Sequence, residues 1–294
     1  MIFFQKIFPY LIYPAIVWGG AALIITGIGS GISYWLVVPP SLISAAAVVM
    51  FFERVMPYEK NYQDPPLAAD LTHYFVNYGI KQAALMLYAQ SVGTFGFLGF
   101  LWLHSSPFAV QVILALIIID FFLYAVHRFS HENNFLWQFH ALHHSSEQLY
   151  WVNGEKRHPL HQIMEGLPGI TAVMLLGAPP AVVVAALAVL ALNMMLQHGN
   201  INYRAGILRY FFSVAELHRW HHLRDAHRSK VNFGAWLVVW DMIFGTFSNP
   251  AGSVSWDKNR NEIGIEEPHP KTYFAQVLHP FKGLIRQKTK EVEQ

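Results

Sequence analysis

Apolar residues dominate the first 126 positions of the chain, in long runs that short polar connections separate. A helix needs about 20 consecutive, mainly apolar residues to cross the hydrocarbon core of a bilayer. Four stretches meet or approach that length. The predicted membrane spans are residues 9–34, 37–53, 80–103 and 107–126. The region 1–126 is therefore predicted to form a transmembrane helical bundle.

The connections between these runs indicate how the spans follow one another. Pro39-Pro40 is expected to mark the turn between the first two spans. Residues 67–79 have mixed polarity, so we expect them to lie at the membrane interface. His104-Ser-Ser-Pro107 is short, which predicts an antiparallel hairpin of the third and fourth spans.

The pattern changes after residue 126. Residues 127–250 are predicted to form a polar, histidine-rich cap that contains one apolar helical hairpin, 163–197, turning at Pro179-Pro180. Its arms are slightly short, so tilted full spans and a re-entrant pair both remain open. Residues 251–294 are predicted to be a tail with an amphipathic helix on the membrane surface. Apolar residues recur there at helical spacing: Tyr273, Phe274, Val277, Leu278, Phe281, Leu284 and Ile285.

Composition supports an integral membrane protein of all-α class. Only 13% of the residues are charged and 54% are hydrophobic, whereas an average soluble domain has about 25% charged residues. Sixteen of the twenty Lys and Arg residues lie from Arg128 onward. Because basic residues accumulate on the cytoplasmic side, the histidine-rich region is predicted to be cytoplasmic. The net charge of +2 gives no reason to expect a nucleic-acid partner.

Histidines are concentrated in three short boxes, and the spacing within each box is helical. Residues at i, i+3 and i+4 of a helix share a face, so each box directs its imidazoles the same way. The chain has no cysteine, so metal ligands must be nitrogen or oxygen atoms. Eight imidazoles exceed one tetrahedral site and predict a site for two metal ions. These eight are His127, His131, His140, His143, His144, His218, His221 and His222.

Imidazole suits zinc, copper, iron and nickel, so the histidines alone leave several functions open. One alternative is a membrane zinc hydrolase, although His131-Glu132-Asn-Asn-Phe135 breaks the His-Glu-x-x-His motif at its last position. Another is a non-enzymatic metal-binding or transport protein. A transporter would carry its ligands near the bilayer midplane, whereas these histidines gather at the ends of spans.

The order of the boxes resembles the fatty acid hydroxylase superfamily, also called the sterol desaturase family. The resemblance rests on His-x3-His, His-x2-His-His, an apolar hairpin and a second His-x2-His-His, and it covers residues 110–250. Further similar elements are Asp120-Phe-Phe-Leu-Tyr124, Arg157-His158-Pro159, His198-Gly-Asn-Ile201, Asn232-Phe-Gly234, Trp240-Asp241 and Phe244-Gly-Thr246. His161 stands where many relatives carry an acidic residue, so its role is open.

The resemblance implies a non-haem di-iron enzyme that uses O2 to hydroxylate or desaturate C–H bonds of a lipid, such as a sterol or a fatty acyl chain. It implies that the eight box histidines bind iron, with His198 as a ninth ligand and His158 as a tenth. Zinc accepts the same imidazoles and can replace iron in purified protein. Electrons would come from a separate ferredoxin or b-type cytochrome and an NAD(P)H reductase.

Several polar residues near the boxes are candidates for supporting roles. Asp120 lies two helical turns before His127, so we predict that its carboxylate accepts a hydrogen bond from a ligand imidazole. The alternative is an ordinary structural partner, either Lys81 or a neighbouring polar group in the bundle. Arg128 and Arg219 are expected to meet lipid phosphate or nearby carboxylates. Simple polar pairing at helix ends or in loops is expected for Glu132, Asn193, Asn200, Asp225 and His227.

Overall fold

The computed structural model describes residues 6–60, 66–255, 257 and 261–292, with side chains described up to residue 282. Among these residues the regular structure is helical, without a β-strand. The all-α prediction is therefore confirmed. The α-helices are α1 Phe8–Gly29, α2 Tyr34–Val55, α3 Leu67–Phe95, α4 Phe108–Glu132, α5 Asn134–His144, α6 Pro159–Leu175, α7 Pro180–His198, α8 Ala215–His221, α9 Val239–Ile243 and α10 Tyr273–Val292.

Four helices of the described chain are long and apolar enough to cross a membrane, namely α1, α2, α4 and α7. The predicted number of four spans is confirmed, but α7 is among the four and the predicted span 80–103 is not. The expected third span, 80–103, is replaced by α3, which begins at Leu67 and ends at Phe95. The polar residues of 67–79 belong to this same helix. Asp70 and Asn77 are buried against the protein, so the predicted position of this segment at the membrane interface is wrong.

Two predicted turns are wrong. Pro39 and Pro40 lie inside α2, and the turn falls earlier, between α1 and α2, where Gly31 adopts a positive φ of 87°. A membrane helix tolerates proline within its length, so Pro39 and Pro40 do not end α2. The connection of α3 to α4 covers residues 96–107 and includes a 3₁₀ turn, Gly99–Leu101, so it is longer than predicted.

Helix α7 is the centre of the fold. Fifteen of its nineteen residues are buried, and it packs against α1, α2 and α4. The predicted hairpin is present, with α6 ending at Leu175 and α7 beginning at Pro180. Helix α6 lies closely on α4, since a Cβ atom on Gly169 would stand only 3.0 Å from the Ile119 Cα atom. The hairpin thus fixes the end of α7, where His198 is located.

Helix α10 lies across the histidine-rich part of the chain. Gln276 is buried and Phe281 packs against Phe139, whose ring centroid is 5.7 Å away. The opposite face is apolar and open, with Phe274 78% exposed. This two-faced character agrees with the predicted amphipathic helix. The side chains of Leu284 and Ile285 lie outside the described residues.

Candidate metal centre

The three histidine boxes stand at helix ends that converge in space. Helix α4 continues without a break beyond residue 126, so His127 and His131 lie on its last turns. The second box forms the last turns of α5, whose N-terminus is capped by the Asn133 side chain. The third box occupies α8 and its C-cap residue His222. His198 is the last residue of α7. The ends of four helices thus bring boxes that are distant in sequence together.

The buried imidazoles form two clusters, in each of which the candidate ligand atoms all lie within 4.8 Å of one another. The five-histidine cluster is His127, His131, His140, His144 and His221. The four-histidine cluster is His143, His198, His218 and His222. Nine of the ten histidines predicted as ligands are therefore brought together, and His158 is the exception.

The spacing of the imidazole nitrogens suits metal coordination. Within the four-histidine cluster the Nε2 atoms of His218 and His222 are 3.0 Å apart, and those of His198 and His143 are 3.3 Å apart. In the other cluster His131 and His144 have Nε2 atoms 3.1 Å apart. Nitrogens bound to one ion at about 2.0–2.1 Å stand roughly 2.9–3.3 Å apart at octahedral or tetrahedral angles. Each cluster can hold one ion.

The clusters touch because each His-His dipeptide contributes to both. His143 belongs to the four-histidine cluster and its neighbour His144 to the other. His222 and His221 divide in the same way. The rings of His144 and His222 stack with centroids 4.4 Å apart, which joins the clusters into one buried group.

Backbone carbonyls orient two imidazoles toward the five-histidine cluster. His127 Nδ1 donates to the Phe233 carbonyl at 2.8 Å. His221 Nδ1 lies 3.0 Å from the Val231 carbonyl and 3.1 Å from that of Ser229. The Nε2 atoms of His127 and His221 are buried without a hydrogen-bond partner. A carbonyl on Nδ1 fixes the tautomer that leaves Nε2 free for a metal.

The segment that carries the Phe233 carbonyl is held in place by Asp241 and Asn232. Asp241 accepts hydrogen bonds from the backbone N–H groups of Phe233 and Gly234 and from the Thr246 hydroxyl. Asn232 adopts a positive φ of 54°, and its amide donates to the carbonyls of Leu217 and Ser248. These bonds set the position of the Phe233 carbonyl and so orient His127.

Asp120 does not contact a histidine. Its buried carboxylate accepts from the backbone N–H groups of Trp236 and Leu237 and from Trp240 Nε1, at 2.7–3.1 Å. The predicted bond to a ligand imidazole is therefore wrong. The alternative of a neighbouring polar group in the bundle agrees with these bonds, although the partner is not Lys81. Asp120 points across α4 toward α9, where three donors would otherwise be buried without acceptors. It anchors the segment before α9 to α4.

We expect Asp120→Asn to lower stability without removing metal. The substitution turns one acceptor oxygen into an NH2 group that faces donors, which costs about 1–3 kcal/mol. Thermal unfolding and metal analysis of the same preparation measure both effects. Glu132→Gln is the matched control, because Glu132 is an exposed carboxylate on the same helix. Metal loss with an unchanged melting temperature would instead indicate that Asp120 acts on a ligand.

His158 lies outside both clusters, so its predicted role as a tenth ligand is not supported. Its Nδ1 accepts from the Leu160 N–H group and its Nε2 donates to the Val277 carbonyl. Both ring nitrogens therefore have protein partners: Nδ1 caps the N-terminus of α6, and Nε2 binds α10. His161 lies closer: its ring centroid is 4.6 Å from that of His140, and its Nε2 bonds the Ser130 hydroxyl at 2.9 Å. It supports the five-histidine cluster from outside.

The remaining polar candidates have ordinary partners, with one correction. Arg128 pairs with Glu132 at 2.8 Å, as expected for a nearby carboxylate. Arg219 is buried, lies 3.6 Å above the Tyr58 ring and donates to the Ile201 carbonyl, so its direct partners are an aromatic ring and a backbone group rather than the expected charges.

The other expected polar pairings are formed. The Asn193 side chain accepts from Tyr13 and donates to the carbonyls of Ser213 and Ala235. The Asn200 side chain bonds the backbone N–H and carbonyl of Glu59. The Asp225 carboxylate accepts from the N–H groups of His227 and Arg228 in an exposed loop.

Burial keeps the box imidazoles in the neutral form that binds metals. Loss of hydration lowers the pKa of His143, His144 and His222 well below 6.5, and neighbouring imidazoles lower it further. The pKa of His221 falls to about 4, chiefly through burial. Neutral imidazole is the ligand form, so these sites do not need to lose protons before metal binds.

We expect the metal-free protein to lose stability as pH falls below about 6.5. The folded pKa of His221 lies below the unfolded value of 6.5, so between those values the unfolded chain binds more protons than the folded chain. The free energy of unfolding that these residues contribute is fully present above pH 6.5. It decreases as the pH falls toward the pKa of about 4 that His221 has in the folded protein. Melting temperatures of metal-free protein at about pH 7 and about pH 5 test this. Equal melting temperatures would contradict it.

A cavity of about 890 Å³ lies between α2, α3, α6 and α7. Most of its lining is apolar, but a charged group lies along one side, formed by Lys81, Glu155, Arg157 and Glu165. Sequence reasoning missed this group. Lys81 and Glu155 are 74 positions apart, so no local pattern joins them. The signals in the sequence were an isolated charge, Lys81, within an apolar stretch, and Arg157 in the element Arg157-His158-Pro159.

The fold and the clusters define a membrane protein with a buried two-part histidine centre beside an apolar cavity. A family model described as fatty acid hydroxylase matches residues 112–246. Ornithine lipid hydroxylase OlsE of Rhizobium tropici is 36% identical over 265 residues, which cover 85% of this chain and 78% of that protein. No solved structure matches the chain.

More distant relatives share the central region. Alkylglycerol monooxygenase of Homo sapiens is 33% identical over 129 residues, or 44% of this chain and 28% of that protein. Sphinganine C4-monooxygenase 2 of Arabidopsis thaliana is 27% identical over 143 residues, or 47% of this chain and 54% of that protein. The chain belongs to the fatty acid hydroxylase family, and it is an oxidoreductase and an integral membrane protein.

Proposed function

We propose that this protein is an O2-dependent lipid hydroxylase that holds two iron ions, one in each histidine cluster. The observation that carries the proposal is the convergence of nine buried imidazoles into two adjoining groups. Nine nitrogen donors suit iron, which accepts imidazole and has open coordination positions for O2 in such sites. Iron bound there would supply the oxidising power, while the chain supplies placement and exclusion of water.

The residues present fit this metal pair. His127 and His221 have Nε2 atoms without a protein partner, and their Nδ1 atoms are fixed by carbonyls. Both clusters are buried, so water has little access to the reacting groups. Hydroxylation is proposed over desaturation because the relatives are named hydroxylase and monooxygenase.

Substrate and electrons are proposed to reach the centre from different directions. A polar membrane lipid would enter the cavity from the bilayer. Electrons would come from a separate ferredoxin or b-type cytochrome with its reductase. The placement of basic residues from Arg128 onward supports a cytoplasmic position for the histidine boxes, where such donors are available.

Metal analysis and isotope labelling together test the proposal. Protein purified without oxygen should contain about two iron ions per chain, and membranes expressing it should incorporate one ¹⁸O atom from ¹⁸O2 into a lipid. Zinc-loaded protein is the control, since zinc occupies the same imidazoles without redox chemistry. Fewer than about one iron per chain, or labelling from H2¹⁸O alone, would overturn it.

A further inference from the structure

The cavity beside the clusters opens at one end onto the exposed apolar faces of α2 and α3. Trp35, Ile43 and Met86 line it and are more than half exposed. Its volume of about 890 Å³ lies within the range of sites that hold a large ligand, about 300–1,000 Å³. The apolar lining fits acyl chains.

The other end of the cavity reaches the histidine clusters. Gly154 lines it, and a Cβ atom there would stand 2.9 Å from His198 Nδ1. Met194 also lines it, and its carbonyl contacts His198 Nδ1 at 3.3 Å. Whatever occupies this inner end lies against the four-histidine cluster.

Charged side chains mark this inner end. Lys81 contacts both carboxylate oxygens of Glu155 at 2.6 Å. Arg157 pairs with Glu165, and both are buried. Gln162 stands beside them in the lining. Two cations and two carboxylates thus face a cavity whose lining is mainly apolar.

These charges are more than the fold requires. Replacing a buried ion pair by apolar residues is often neutral or stabilising, so stability alone gives no reason for two such pairs. Polar atoms are also left over: Arg157 Nε and Gln162 Oε1 are buried without a hydrogen-bond partner. One donor and one acceptor therefore remain for a ligand.

We propose that Lys81, Glu155, Arg157, Gln162 and Glu165 form a head-group site that selects a lipid whose head carries both a carboxylate and a protonated amine. Arg157 Nε is a free donor for the carboxylate and Gln162 Oε1 is a free acceptor for the protonated amine. The two internal ion pairs leave no net charge to attract a phosphate. The acyl chains extend from this head-group site toward the opening at α2 and α3. The inference rests on the proposed function only in taking a lipid as the occupant of the cavity.

Binding of two lipids with the same acyl chains tests the head-group site. The probes are a diacyl ornithine lipid and the corresponding diacylglycerol, added to purified protein in detergent and quantified by native mass spectrometry. Wild-type protein is expected to bind the ornithine lipid about tenfold or more tightly, since hydrogen bonds to charged groups are strong. Equal binding of the two lipids would overturn the proposal.

The double variant Lys81→Met, Glu155→Gln separates recognition from folding. It removes one ion pair while keeping side-chain size, and it should reduce the preference for ornithine lipid about tenfold while diacylglycerol binding stays unchanged. Gln90→Leu is the matched control, because Gln90 lines the same cavity from the same helix and should leave the preference intact. Equal loss of both lipids in the double variant would indicate a structural ion pair and contradict the site.

If the double variant does not fold, the preference for ornithine lipid over diacylglycerol is measured for Glu155→Gln alone and compared with that of the wild-type protein. A phosphatidylglycerol probe that binds as tightly as ornithine lipid would show an anion site and refute the zwitterionic one. Binding does not require turnover, so absent ¹⁸O incorporation with intact head-group preference would reject only the proposed function.

Discussion

Replacing His222 by alanine is expected to abolish hydroxylation and to remove at least one metal ion per chain. His222 is fully buried, its Nε2 lies 3.0 Å from that of His218, and its ring stacks on His144 of the other cluster. The four-histidine cluster would keep three imidazoles and gain a cavity. Because three ligands leave a coordination position open to water, affinity should fall steeply.

Iron content, lipid turnover and melting temperature of the His222→Ala protein measure the effect. Turnover should drop below detection, well beyond the roughly 10–100-fold loss seen when a residue that only orients a ligand is changed. His227→Ala is the control: His227 lies five positions later in an exposed loop and should retain full iron and activity. Wild-type turnover in the His222→Ala protein would remove this residue from the ligand set.

Gly154→Ala is expected to impair the centre through a single methyl group. The added Cβ would stand 2.9 Å from Nδ1 and 3.1 Å from Cγ of His198, closer than side-chain atoms approach one another. His198 is buried and already contacts His143 and His218, so it can yield only by leaving its position. A misplacement of about 1 Å can cost on the order of 100-fold in rate.

Turnover and iron content again provide the measurement, with Gly79→Ala as the matched control. Gly79 is an exposed helical glycine with no atom within 4 Å of an added Cβ, and alanine favours the helix there. Gly79→Ala should therefore keep wild-type activity. Wild-type activity of Gly154→Ala would mean that the four-histidine cluster tolerates a displaced His198.

The histidine clusters were the most predictable part of this molecule. Helical spacing determines which imidazoles share a face, and the twenty residues from Pro107 to Val126 place His127 at the end of a span. Both are local properties of the chain. The match of the boxes to the fatty acid hydroxylase family added His198, which no local pattern would have joined to them.

Tertiary partners were not predictable in the same way. Helical periodicity placed Asp120 and His127 on one face, yet the Asp120 carboxylate bonds Trp240, 120 positions later. His158 resembled a ligand by its place in the sequence, yet it bonds Val277 on α10. Hydropathy also misplaced the third span, because the polar residues of α3 have buried partners that a single-sequence pattern does not reveal.

The division of each His-His dipeptide between the clusters implies thermodynamic cooperativity in metal loading. An ion in the five-histidine cluster fixes His144 and His221, and their backbone neighbours His143 and His222 are ordered at the same time. The second ion then meets ligands whose conformational entropy has already been lost. By linkage, each ion raises the affinity for the other by the same factor. Native mass spectrometry at half-saturating iron should therefore show mainly empty and doubly loaded chains, and a dominant singly loaded species would contradict this coupling.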